Sequence, residues 1–110
     1  MKLKRAILEM GTGNDLHGGD YTKAAIRAVK DALHHSSLDF ITSLNLDKKQ
    51  LIVVVTIGVQ QPEKINTTKV KESLPVGNVS IEVSRGGLDI IDSDREDKLV
   101  IANAAVQVML

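Results

Sequence analysis

The sequence predicts a single α+β domain over residues 1–110, with its elements in the order strand, helix, strand, helix, strand, strand. A chain of 110 residues with 43% hydrophobic side chains can bury one compact core. Residues 51–59 and 99–110 are apolar at most positions, which is typical of strands that are covered on both faces. Residues 21–35 place alanine, valine and leucine at helical spacing, so a helix follows the first strand.

Composition excludes several classes of partner. The 14 basic and 14 acidic side chains cancel, so no net charge would attract nucleic acid or an anionic membrane. Tyr21 and Phe40 are the only aromatic residues, too few for a surface that stacks bases. The chain has no cysteine, which fits a reducing compartment, and Glu9 interrupts the apolar run that follows the basic first residues. We therefore expect a cytoplasmic protein that binds neither nucleic acid nor membrane.

The first predicted strand covers residues 3–10 and should end at Gly11. Its alternation places two different sets of residues on its two faces, so one side should be well buried. These sets are Ala6, Leu8 and Met10 on one face and Arg5, Ile7 and Glu9 on the other. A polar turn rich in glycine follows at residues 11–19. Because glycine adopts positive φ readily, backbone N–H groups in such a turn can converge on a ligand.

Asp20 is a natural N-cap for the helix predicted at residues 21–35. The apolar stripe of this helix consists of Ala25, Val29, Ala32 and Leu33.

The opposite stripe of the helix is basic. Lys30 and His34 on this stripe are expected to form a solvated face. Lys23 and Arg27 lie beside the polar turn and near the positive end of the helix dipole, a combination that favours an anionic ligand.

The middle of the chain predicts a central strand and a second helix. Residues 36–46 should form a connector with a short helical turn, and residues 51–59 the central strand. Pro62 closes that strand and opens a second, less regular helix that ends at Leu74.

A third strand and an acidic segment follow. Residues 79–83 alternate between apolar and polar side chains and predict a half-exposed strand, which ends at the two glycines 86 and 87. Residues 89–97 carry five acidic side chains without the glycine that a calcium loop needs at its sharp turn. We therefore expect these residues to form a solvated, mobile hairpin loop.

The last strand, residues 99–110, is long and mostly apolar, with Asn103 and Gln107 interrupting one face. A buried amide there would need a partner from a ligand or from another subunit. The sheet has more apolar surface than two helices can cover. Packing of sheet against sheet in a closed homo-oligomer, such as a trimer, would bury the remainder.

The segment GTGNDLHGGDYTKAAIRAVKDAL, together with the closing IANAAVQV, resembles the signature of a widespread family of small conserved hypothetical proteins. The resemblance covers most of the chain. Because no activity is assigned to that family, the resemblance implies a shared fold without implying a reaction.

The chain also resembles, more distantly, methylerythritol cyclodiphosphate synthase. In that enzyme too a strand leads to a glycine-flanked Asp-x-His, matched here by Asp15 and His17, and an alanine-rich helix follows. The resemblance implies a chorismate-mutase-like subunit of a homotrimer, with a site between subunits and zinc held by the Asp-x-His pair and another histidine. This chain is shorter, and the second loop that would supply the third histidine is not recognisable. A related fold is therefore expected, and not the same reaction.

The residues around the polar turn suggest two kinds of chemistry. Asp15 and His17 suit a divalent metal such as zinc, with further ligands from water or a neighbouring subunit. Alternatively, Asp15 caps the turn and His17 donates a hydrogen bond to a carbonyl. As a catalytic set, His17 would act as acid or base, and Asp15 or Asp20 would orient it. The predicted ligand-binding set is Gly13, Asn14, Gly18, Asp20, Lys23, Arg27 and Asn103, in which the two cations would hold a carboxylate or phosphate.

Three classes of function stay open. The first is a small enzyme that acts at subunit interfaces on a compact anionic or amide-bearing metabolite, by metal-assisted or histidine-based chemistry. The second is a ligand-binding or regulatory oligomer without turnover. The third is a structural partner of another enzyme.

Overall fold

The computed structural model describes residues 4–34, 51–74 and 78–109. These residues form one α+β domain with a five-stranded mixed sheet and two helices, as predicted, and with one strand more than expected. The strands are β1 (Arg5–Asp15), β2 (Ile52–Val59), β3 (Asn78–Arg85), β4 (Leu88–Asp92) and β5 (Asp97–Met109). The helices are α1 (Tyr21–His34) and α2 (Thr67–Glu72), and a 3-10 turn, Pro62–Lys64, precedes α2. The predicted connector at residues 36–46 lies outside the described residues.

The sheet has the order β1-β5-β2-β3. β2 and β3 are parallel, whereas β5 is antiparallel to its neighbours. β4 also pairs with β5, along the first residues of that strand, 97–101. The central position predicted for β2 is confirmed, because β2 lies between β5 and β3 and both its neighbours pair along almost its whole length.

Both helices pack on one face of the sheet and form the core with it. α1 buries a stripe of small residues against β1 and β5, and Val70 of α2 joins the same core. From β2, alternate residues point into this layer, namely Val53, Val55, Ile57 and Val59. Neither described helix is long and apolar enough to cross a membrane.

β1 is longer than predicted. The strand continues through Gly11 and Gly13 to Asp15, so most of the predicted polar turn is strand. Its core-facing side carries these glycines because α1 lies directly against them. A Cβ atom built at Gly13 would lie 2.7 Å from the Arg27 carbonyl carbon, and one at Gly11 would lie 2.9 Å from the Ala32 Cα. Strand and helix backbones are therefore in contact.

The opposite side of β1 belongs to an exposed surface, here called the open face. It carries Leu8 and Met10 of β1, with 41% and 69% of their surface exposed, and Leu88 and Ile90 of β4. Among the described residues, no helix packs on the open face. The expectation that the sheet has one uncovered apolar side therefore holds for the part of the chain that the structure describes.

Two further segments differ from the prediction. The helix expected from Pro62 to Leu74 is divided, because Ile65 is extended and Asn66 caps a new helix by accepting a hydrogen bond from the Lys69 N–H at 3.2 Å. The acidic segment 89–97 is not a mobile loop as a whole. Leu88–Asp92 forms β4, and β5 begins at Asp97, so only the four residues between them form the turn. The backbone groups of β4 pair with β5, whereas the acidic composition had suggested that they would be solvated.

Candidate functional site

The connection between β1 and α1 is a tight turn that depends on two glycines. Gly18 and Gly19 have φ values of 88° and 62°, in the region that favours glycine. The Asp20 side chain then caps α1 by accepting a hydrogen bond from the Lys23 N–H at 3.0 Å, as predicted. Asp15, only 4% exposed, accepts a hydrogen bond from the Asp20 N–H at 2.8 Å. Asp15 therefore closes the turn on its inner side, which matches the capping alternative.

Two cations stand over the buried Asp15 carboxylate. Lys23 Nζ and Arg27 Nη1 lie 3.9 Å and 3.8 Å from Asp15 Oδ1, which is longer than a hydrogen bond. Arg27 Nη1 donates instead to the Asn14 carbonyl oxygen at 2.7 Å. Both side chains are about half exposed, at 54% for Lys23 and 47% for Arg27. Most of the donors on these two cations are thus available to a ligand.

Lys23 and Arg27 line a groove between α1 and the start of α2, here called the cationic groove. Its volume is about 510 Å³. Two further lysines line it as well, so four cations face a space in which Asp20 is the only lining carboxylate among the described residues. The Asn66 N–H donates to the Thr22 hydroxyl at 2.9 Å and joins the two walls of the groove. The lining residues in the part of the chain that the structure describes are Asp20, Thr22, Lys23, Ile26, Arg27, Lys30, Asn66 and Lys69.

His17 pairs with a residue 80 positions away in the sequence. Its Nδ1 atom lies 2.9 Å from Asp97 Oδ2, while Asp97 Oδ1 accepts hydrogen bonds from the Gly18 and Lys98 N–H groups at 2.8 Å each. The bonds from Gly18, His17 and Lys98 lower the pKa of Asp97 to about 2. The prediction that Asp15 or Asp20 orients His17 is therefore wrong. Both of those carboxylates cap backbone N–H groups of the turn and helix, and Asp97 is the residue at the imidazole.

A second polar cluster, which the sequence analysis missed, lies at the first residue of α1. The hydroxyl of Tyr21, 3% exposed, donates to Asp89 and accepts from Lys98 Nζ at 2.8 Å and from Gln61 Nε2 at 3.0 Å. Lys98 Nζ also lies 4.6 Å from the centre of the Tyr21 ring, within reach of a cation–π interaction. Burial and the bond to Asp89 raise the pKa of Tyr21, and the bond to Tyr21 raises the pKa of Lys98. The available signal was Tyr21 itself, the only tyrosine of the chain, placed at a helix start.

Two of the predicted ligand-binding residues lie elsewhere. Gly13 faces α1 and has no room for a ligand. Asn103 lies on the open face and accepts a hydrogen bond from the Gly87 N–H at 2.8 Å, so its partner comes from within the chain. Asn14, Gly18, Asp20, Lys23 and Arg27 do surround the start of α1, as predicted.

The arrangement of Asp15 and His17 does not fit a zinc site. The Asp15 carboxylate is directed at the Asp20 N–H, whereas the His17 ring is directed at Asp97. Within residues 4–34, 51–74 and 78–109, no group of three or more histidine, cysteine, aspartate or glutamate side chains is placed to hold a metal ion.

Comparisons with known proteins agree with the fold. The family model described as a conserved hypothetical protein, Lin0512 family, matches residues 5–108. The chain is 35% identical to an FtsZ-like protein of unknown function from Nostoc punctiforme PCC 73102, whose crystal structure was determined at 1.22 Å resolution. The two structures superpose with a TM-score of 0.88, over 100% of this chain and 98% of that one. A search of curated proteins finds no match.

Proposed function

We propose that this chain, which belongs to the Lin0512 family of conserved hypothetical proteins, binds a small anionic metabolite in the cationic groove. The observation that carries the proposal is the concentration of four cations around one space in a chain whose net charge is zero. Such a local excess of positive charge attracts an anion even where the protein as a whole does not. A phosphate, sulfate or carboxylate group is the chemistry that these side chains recognise.

Arg27 is the principal anchor in this proposal. Its Nη1 atom is held by the Asn14 carbonyl, which fixes the plane of the guanidinium group. A fixed guanidinium group can grip two oxygen atoms of one anion, whereas a lysine acts as a single point of charge. The buried Asp15 offsets part of the charge of Arg27 and Lys23 but makes no short contact with either. The cations are therefore positioned without being consumed by an internal ion pair.

The groove also provides groups that would orient a ligand. Thr22 and Asn66 offer hydroxyl and amide groups on the two walls, and Ile26 offers an apolar contact. A small metabolite that carries an anionic group, a polar group and a short carbon frame would use all three. Such a groove supports a binding or regulatory protein as well as an enzyme. A measurement of substrate turnover separates the enzyme from the binding protein. The third class, a structural partner of another enzyme, would use the open face instead.

We further propose that the chain forms a homotrimer of chorismate-mutase-like subunits with the open faces directed inward. The support is the exposed apolar surface of β1 and β4, which a soluble monomer would leave in water. This assembly would leave the cationic groove, on the other face of the sheet, accessible to a ligand. The groove would then lie away from the subunit interface, where the small-molecule site was expected.

Calorimetric titration with inorganic phosphate, sulfate and a panel of small dicarboxylates tests the groove. Arg27→Lys should weaken binding by about 1.5–3 kcal/mol, the net value of a hydrogen bond to a charged group, and Lys23→Met should cost less. Lys69→Met, on the opposite wall, should also weaken binding. Lys71→Met is the matched control, because Lys71 is an exposed lysine of α2 that does not line the groove. Equal loss in the Lys69 and Lys71 variants, or no binding of any anion by the unmodified chain, would refute the proposal.

A further inference from the structure

We propose that His17 and Asp97 form an acid–base pair, in which Nε2 of His17 exchanges a proton with a hydroxyl group or water of a bound substrate. Asp97 is a positioning residue in this pair, because it contacts the imidazole and not the substrate. The pair lies outside the cationic groove, whose lining includes neither residue. It does not depend on the anion proposed to bind there.

The hydrogen-bond partners assign the tautomer of His17. Asp97 is ionised at neutral pH, because the pKa of its carboxyl group is lowered to about 2. An ionised carboxylate only accepts hydrogen bonds, so the ring proton of neutral His17 must lie on Nδ1, which faces Asp97 at 2.9 Å. The Nε2 atom then carries a free lone pair. Because 76% of the His17 side chain is exposed, that lone pair is accessible to a substrate.

The carboxylate is itself held in place by the backbone on both sides. Asp97 Oδ1 accepts from the Lys98 N–H in β5 and from the Gly18 N–H, which belongs to the residue directly after His17. The same carboxylate thus binds the imidazole and the backbone that carries it. Gly18 has a φ of 88°, a conformation that a side chain would strain, so this geometry depends on glycine. Asp97 therefore holds both the His17 ring and the backbone beside it, which keeps the ring in one orientation for proton transfer.

The proton transfer balances without any additional group. Nε2 accepts the proton of a hydroxyl group or water, whose oxygen keeps the electron pair and becomes the nucleophile. The imidazolium ion that results is stabilised by the negative Asp97, which stays ionised throughout. The oxygen nucleophile forms a bond to an electrophilic carbon or phosphorus atom of the substrate, and the bond from that atom to the leaving group breaks. The leaving group takes the electron pair of that bond, and Nε2 returns the proton to it. His17 and Asp97 are then in their starting state.

The tautomer is measured directly by two-bond ¹H–¹⁵N correlation spectra of ¹⁵N-labelled protein at about pH 8, where free imidazole is neutral. His17→Gln identifies the His17 signals, and His34→Gln provides the matched control, since His34 is also exposed. We expect protonated Nδ1 and unprotonated Nε2 for His17 of the unmodified chain. Protonated Nε2, the form that free imidazole prefers, would overturn the proposal without the need for any variant.

Diethyl pyrocarbonate tests the reactivity of the lone pair. Nε2 attacks a carbonyl carbon of the reagent, the bond to the leaving oxygen breaks with its electron pair on that oxygen, and the proton on Nδ1 passes to solvent. Peptide mapping should show His17 modified several-fold faster than His34. In Asp97→Asn the amide can donate to Nδ1 and so reverse the tautomer, and the rate at His17 should fall to that at His34. Equal rates at His17 in the two proteins, with the His34 rate unchanged as the check on folding, would overturn the proposal.

Discussion

Gly13→Ala tests the contact between β1 and α1 on which the position of the candidate site depends. Gly13 does not have a positive φ, so alanine is compatible with its backbone. Where space allows, Gly→Ala stabilises a protein by about 0.4–1 kcal/mol, because the unfolded chain loses conformational entropy. At Gly13 we expect the opposite sign. The added methyl group would lie 2.7 Å from the Arg27 carbonyl carbon and nearer still to the backbone of Ala24 and Ala28.

The magnitude follows from the displacement that the methyl group requires. Ordinary contact with a Cβ atom begins at 3.4 Å, so clearing the Arg27 carbonyl carbon alone takes about 0.7 Å, and the nearer backbone atoms of Ala24 and Ala28 require a larger shift of the helix. All of the close atoms belong to the helix backbone, so no side-chain rotation relieves the clash. Overpacking of this kind costs roughly 1–3 kcal/mol, and we expect the upper end, because a whole turn of α1 must shift. For a domain of this size that corresponds to roughly 10–15 °C in melting temperature.

Thermal and urea unfolding of the variant, at one fixed protein concentration, measure this effect. Asn14→Ala is the matched control, since the Asn14 side chain is exposed and only its backbone oxygen binds Arg27. Adding Ala28→Gly should not restore stability, because the clash is with the Ala28 backbone. A Gly13→Ala protein that is as stable as the unmodified chain, or more stable, would refute the packing described for β1 and α1.

Three further predictions concern pH and assembly. The folded chain lowers the pKa of Asp97 from 3.8 to about 2, so the contribution of Asp97 to stability is present above about pH 4 and is lost as pH falls towards 2. The free energy of unfolding, measured across this range, should therefore fall more steeply for the unmodified chain than for Asp97→Asn. Parallel curves for the two proteins would contradict this. The raised pKa values of Tyr21 and Lys98 stabilise the fold below about pH 10, and this contribution is lost as pH rises through the folded pKa values, so Tyr21→Phe should flatten the alkaline limb of the same profile. Light scattering at micromolar concentration should give the mass of a trimer, and Met10→Lys on the open face should reduce it; a monomeric unmodified chain would exclude the proposed assembly.

The sequence predicts those elements whose buried faces carry apolar side chains at regular spacing. β2 was recognised because valine and isoleucine occupy both its faces, and α1 because alanine and valine recur at helical spacing. β1 was placed too short because its buried face carries glycine at residues 11 and 13. Glycine adds no apolar side chain to the alternating pattern of a strand. A strand face that contacts a helix backbone through glycine is therefore mistaken for a polar turn in the sequence.

The site shows the same division between local and distant information. The residues around the start of α1 lie close together in the sequence, so their grouping follows from sequence spacing alone. They are Asp15, Asp20, Lys23 and Arg27. Asp97 could not be assigned in this way, because its partner His17 is 80 residues away and only the pairing of β5 with β1 and β4 brings the two together. An acidic segment reads as solvated when its hydrogen-bond donors come from a distant part of the chain.

The two proposed sites depend differently on the position of α1 against β1. One wall of the cationic groove is formed by side chains of α1, so any displacement of the helix from β1 moves Lys23 and Arg27 relative to Asp15. The His17–Asp97 pair is instead fixed from β5, through a carboxylate that binds the Lys98 N–H of β5 and His17 and Gly18 of the turn before the helix. A shift of α1 should therefore weaken anion binding before it disturbs the tautomer of His17. In the Gly13→Ala protein, loss of binding with retention of the protonated Nδ1 would show that the two sites are attached to different parts of the fold.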